Sequence, residues 1–115
     1  MTTPTCSRQA ALETITAIAR LLHRAAERST DQADAEGPRS ALHVRTLGIH
    51  LTAAKTALLV PPELDPYWPQ PTQDNPLELL RAAEQLARSV PIDKTTEGFS
   101  IIVGDIADLL HEAGS

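Results

Sequence analysis

The sequence predicts an all-α protein: one four-helix bundle of up-down-up-down order, with a long proline-rich connection between its second and third helices. Three observations predict it. Apolar residues are mainly Ala, Leu and Ile, aromatics make up only 3% of the chain, and Ala and Leu favour helix whereas strand formers are scarce. Apolar positions recur at three- and four-residue spacing over four stretches. Those stretches are separated by Gly37-Pro38, Pro61-Pro62 and Pro91, all of which interrupt helices. At 115 residues the chain is one domain by length, and it can bury roughly two-thirds of its unfolded surface without a disulfide or metal staple.

Residues 1–6 read as a flexible tail. A first helix is expected over about 7–29, with Ser7 as its N-cap. Ala11, Ile15, Ile18, Leu22 and Ala25 line one face, and Glu13, Arg20, Arg24, Glu27 and Arg28 the opposite one, the pattern of an amphipathic surface helix. Thr30 to Gly37 is polar and acidic and reads as a connector, with Pro38 suited to open the next helix.

The second helix, about 38–60, is the one on which the bundle is expected to be built. Val44, Leu47, Leu51, Ala54 and Leu58 form one apolar stripe, and Leu42, Ile49, Ala53 and Val60 a second on the far side. The sector of Arg45, Gly48, Thr52, Lys55 and Thr56 is the one suited to water. A helix apolar over so much of its girth belongs in the interior.

Residues 61–76 hold six of the nine prolines together with the only Tyr and Trp. A stretch of this length without regular structure is either functional or disordered in most domains, and Tyr67-Trp68 need a cover. The third helix, about 76–90, opens on Asn75 as N-cap with Pro76 at the first position and Glu78 at N3. Leu79, Leu80, Ala83, Leu86, Ala87 and Val90 line its apolar face. The fourth, about 95–113, buries Phe99, Ile102, Val103, Ile106, Leu109 and Leu110, and leaves Ile101 among Asp105, Asp108 and Glu112.

Candidate sites are few. His43 and His50 are seven residues apart, about 10 Å along the axis at 1.5 Å per residue, too far for one metal ion. Each reads either as a core-edge histidine bonded to its surroundings or as part of a ligand pocket with Tyr67 and Trp68. Asp108-Leu-Leu-His111 has acid-x-x-His spacing but points away from the apolar face, so no metal site is assigned and no cofactor is expected. Leu42, Ile49, Ala53, Val60 and Ile101 are the candidate interaction surface, since one bundle needs fewer apolar faces than the second helix offers.

The function classes narrow accordingly. There is no glycine-rich phosphate loop, nucleophile elbow or zinc-protease helix, and Cys6 sits in the tail, so no enzyme is expected. A net charge of −5 with no aromatic-interleaved basic patch argues against nucleic acid. Residues 1–60 carry seven Arg and Lys against five Asp and Glu, residues 61–115 three against ten; the two halves are expected to face each other and pair across the bundle, the alternative being a bipolar surface that steers a charged partner. With a single cysteine, no leader-like start and no membrane-length apolar run, a cytoplasmic protein off the membrane is expected. The reading is a helical module that binds another protein or its own copy; the alternative is a small-ligand-binding bundle with its pocket near His43, His50 and Trp68.

Overall fold

The computed structural model describes residues 4–60, 75–90 and 98–112 of the chain. Tyr67 and Trp68, with the rest of residues 61–74, lie outside the described residues. Four helices result: α1 (Pro4–Glu36), α2 (Leu42–Ala57), α3 (Pro76–Ser89) and α4 (Phe99–Glu112). The four-helix bundle expected from the sequence is present. None of these helices is long and apolar enough to cross a membrane.

The spine is α1, not α2. It has 33 residues, about 50 Å at 1.5 Å per residue. It begins within the stretch expected as a tail and runs through the stretch expected as a connector. The continuation has a simple cause. Ser29 and Ala33 extend the buried stripe of Ile15, Ile18, Leu22 and Ala26 at helical spacing, and both are buried. Nothing in 30–36 is Pro or Gly. Gly37 then stops the helix: its φ is +106°, the left-handed region open to glycine, and its N–H donates to the Ala33 carbonyl at 3.1 Å.

After the turn at 38–41, α2 starts at Leu42, whose N–H donates to Ser40 Oγ at 3.1 Å. Its last turn tightens, with Leu59 and Val60 donating to carbonyls three residues back, because Pro61 disfavours helical geometry at Val60. The α3 start is as expected: Asn75 Oδ1 accepts from Leu77 N at 2.9 Å and Glu78 N at 3.3 Å. α4 begins at Phe99, behind Gly98.

Around the bundle the helices follow the order α1, α2, α4, α3. α1 packs on α2 and α3, and α4 packs on α3 and α2. Lys55 meets Asp105 while Gly48 approaches Leu109, so α2 and α4 run antiparallel. α1 and α2 are also antiparallel, since Ser29 bonds Thr46 across the hairpin. α4 therefore runs parallel to α1, which differs from the alternating order expected. The core joins Ile15, Ile18 and Leu22 of α1 to Leu79 and Leu80 of α3 and Phe99, Ile102 and Ile106 of α4. Each large side chain so buried contributes about 1.5–3 kcal/mol.

Candidate functional site

The contribution of α2 to this core is small-residue rather than leucine-rich. Thr46, Ile49, Thr52, Ala53 and Thr56 face inward, where Thr52 and Thr56 were expected in water. Their hydroxyls are satisfied without solvent. Thr52 Oγ1 donates to the Gly48 carbonyl at 3.0 Å, Thr56 Oγ1 to the Thr52 carbonyl at 2.8 Å, and Thr46 Oγ1 lies 2.6 Å from Ser29 Oγ. A threonine that bonds back to its own helix presents little polarity to a neighbour, and its small size admits the alanine-rich face of α1. On the α4 side, a Cβ added at Gly48 would meet Leu109 Cδ2 at 3.0 Å, so glycine permits that close approach.

Turning this face inward turns the larger apolar residues outward. Val44 is 77% exposed, Leu47 61%, Leu51 55% and Leu58 87%. Together with Ala54, also exposed, they form a ridge about 21 Å long at 1.5 Å per residue. It lies on the side of α2 opposite the core. Exposed apolar residues scattered singly are ordinary, whereas contiguous apolar patches larger than a few hundred Å² mark interaction sites.

A groove runs along each side of the ridge. Between α2 and α1, a groove of about 550 Å³ is floored by Ala19, Ala53 and Ala57 and carries Arg20, His23 and His50. Between α2 and α4, one of about 360 Å³ carries Asp105, Asp108 and Glu112 beside Leu47 and Leu51. Lys55 in the second groove is engaged by Asp105 at 3.1 Å. His23 in the first is paired with Glu27 at 2.9 Å.

The residues proposed from sequence fall in several places. His43 is half-buried and its Nε2 donates to the Gly37 carbonyl at 2.9 Å, tying α2 to the turn. His50 Nε2 is 3.0 Å from Thr30 Oγ1. Thr30 spends its hydroxyl hydrogen on the Ala26 carbonyl at 2.8 Å, so His50 is the donor. The two histidines do not share a site: His50 lines the α1 groove and His43 does not. Ile49 (0% exposed) is in the core and cannot form an interaction surface, and Ala53 (8%) reaches the surface only at the floor of the α1 groove. Leu42 and Val60 are half-buried. Ile101 is 61% exposed, as expected, and belongs to α4 rather than to the α2 ridge. Among the described residues, no group of three His, Cys, Asp or Glu side chains is placed to hold a metal ion.

What the sequence reading missed is Val44, Leu47, Leu51 and Leu58 as surface. The available signal was their strict alternation of three and four residues, the spacing of a helix–helix seam, against a second stripe diluted by threonine. Comparisons with known protein families, characterised proteins and solved structures find no match, so the functional reading rests on this ridge and its two grooves.

Proposed function

We propose that the protein is a small non-catalytic helical module that acts by binding protein through the outer face of α2. The observation that carries the proposal is the exposed ridge of Val44, Leu47, Leu51 and Leu58. Leaving leucines in water while threonines fill the core forgoes about 1.5–3 kcal/mol of burial per side chain, which a docked partner restores. The helical spacing and grooved flanks suit the mode in which an apolar helix face meets another helix.

The test uses stripe variants as bait in an extract of the source cells. A protein retained by the wild type and by Ile101→Glu, and lost with Leu47→Glu and Leu51→Glu, is the expected result. Equal retention by all four baits removes the α2 face as the site. A second reading is a small-ligand pocket in the α1 groove, favoured by its volume, which lies within the ordinary range of ligand sites, and by Arg20 and His50 in its wall. It is the weaker of the two, because His43 lies elsewhere and the groove is alanine-floored with few converging polar groups.

A further inference from the structure

Resting on the reading of the α2 face as a protein-binding surface, we infer that its partner is an amphipathic helix of another protein, apolar along the side laid on the ridge and bearing Lys or Arg one turn apart along the flank that meets α4. The shape calls for a helix. Val44, Leu47, Leu51, Ala54 and Leu58 alternate three- and four-residue steps, the spacing at which one helix packs along another. Beside the ridge runs the groove of about 360 Å³ between α2 and α4, walled by Leu47 and Leu51 on one side and by Leu109 and the acids of α4 on the other. The ridge faces away from the core, so docking needs no rearrangement of the bundle.

The charge of the partner follows from the groove wall, which holds the carboxylates Asp105, Asp108 and Glu112 against the cation Lys55. Lys55 is taken by Asp105 at 3.1 Å. Asp108 and Glu112 are exposed, and neither has an ion-pair partner among the described residues. The other described carboxylates of α3 and α4 are all matched: Glu78 by Arg81 at 2.7 Å, Glu84 by Arg88 at 3.5 Å and Asp105 by Lys55. Arg45 of α2 lies outside this wall and pairs with neither acid. The unmatched two also stand where acids are least favoured. They are one turn apart, about 6 Å at 1.5 Å per residue, at the C-terminal end of α4. There the helix dipole is negative, and like charges four residues apart repel. Cations one turn apart on a facing helix match that separation and relieve both effects. Across the ridge, the α1 groove has Arg20 in its wall and no acid among its described lining residues. The partner's basic residues therefore belong on the α4 flank alone, and such one-sided complementarity fixes how it lies on the ridge.

The test titrates the full chain into three labelled synthetic helical peptides of about 18 residues, long enough at 1.5 Å per residue to span the ridge. They share one leucine seam and differ only at the positions of one flank, which are Lys, Gln or Glu. Fluorescence anisotropy is expected to show the Lys peptide binding about 10-fold tighter than the Glu peptide, with the Gln peptide between them. Asp108→Asn combined with Glu112→Gln is expected to make the three bind alike, as is about 1 M salt on the wild type, where charges are screened within ~3 Å. Leu51→Glu and, independently, Leu58→Glu are expected to remove binding of all three with helicity unchanged. Equal binding of the three peptides by the wild type, or a Lys preference that survives the Asp108→Asn, Glu112→Gln pair, overturns the inference. It leaves the protein-binding reading, since a leucine seam still docks on the ridge. Binding of none of the peptides also overturns the inference, and sedimentation equilibrium then separates the two levels. A mass above 12.4 kDa that returns to that value with Leu51→Glu makes a second copy the occupant and keeps the protein-binding reading. A mass of 12.4 kDa, together with equal retention of extract proteins by all four baits, removes both.

Discussion

Ser29 and Thr46 meet at 2.6 Å in the buried seam between α1 and α2, and the energetics of that seam can be examined one residue at a time. Thr46→Val leaves the Ser29 hydroxyl buried without this partner, a loss of about 1–3 kcal/mol. Removing both hydroxyls with Ser29→Ala and Thr46→Val is expected to restore most of it, because no donor is then stranded. Urea unfolding of the two single variants and the double variant measures this as a coupling of about 1 kcal/mol; additive losses would mean that the two hydroxyls do not rely on each other. At this scale, strictly local features were legible in the sequence. Asn75-Pro76 is a helix start that needs nothing beyond its own neighbours, and it forms as expected. Thr52 and Thr56 were not legible. Their inward orientation depends on hydroxyls turned back to carbonyls four residues earlier and on a small-residue face across the seam, neither of which a side chain's polarity reveals.

The elements were legible in number and type, and their bounds less so. Four helices follow from periodicity and proline punctuation. The misjudged boundary is the end of α1, where the polar composition of Thr30 to Glu36 outweighed one apolar position. Ala33, fully buried, is that position. A buried charge is far costlier than an exposed one. Ala33→Asp is therefore expected to destabilise by about 2–3 kcal/mol, with Ala35→Asp on the exposed side of the same turn within about 0.5 kcal/mol. Thermal melts followed by circular dichroism distinguish this from a connector, in which the two substitutions would cost the same. The length of α1 has a structural consequence. It gives α2 and α3 a common support, so α2 needs only one face for the bundle and its other face stays exposed.

Across the whole molecule, the orientation of α2 is set by the docking of α4. A helical wheel identified two apolar stripes on α2, but which one faces inward depends on the order of helices around the bundle. That order places α4 against the Gly48 side of α2 and α1 against its Ala53 side. The core then lies between them, on Ile49 and the threonines, and the leucine ridge lies outside. Non-local packing of this kind is not encoded within a single stretch of sequence, and it is why Ile49 and Ala53 exchange roles with Leu47 and Leu51. The candidate site was legible as a property of α2, too apolar for one bundle, but not as a set of residues. The exposure of the ridge carries the proposed function, so it is the claim to measure. Equilibrium unfolding of Ile49→Ala and Leu51→Ala at high dilution tests it directly. Ile49→Ala is expected to lose about 2–4 kcal/mol and Leu51→Ala no more than about 0.5 kcal/mol; a loss at Leu51 equal to or greater than that at Ile49 would contradict the account.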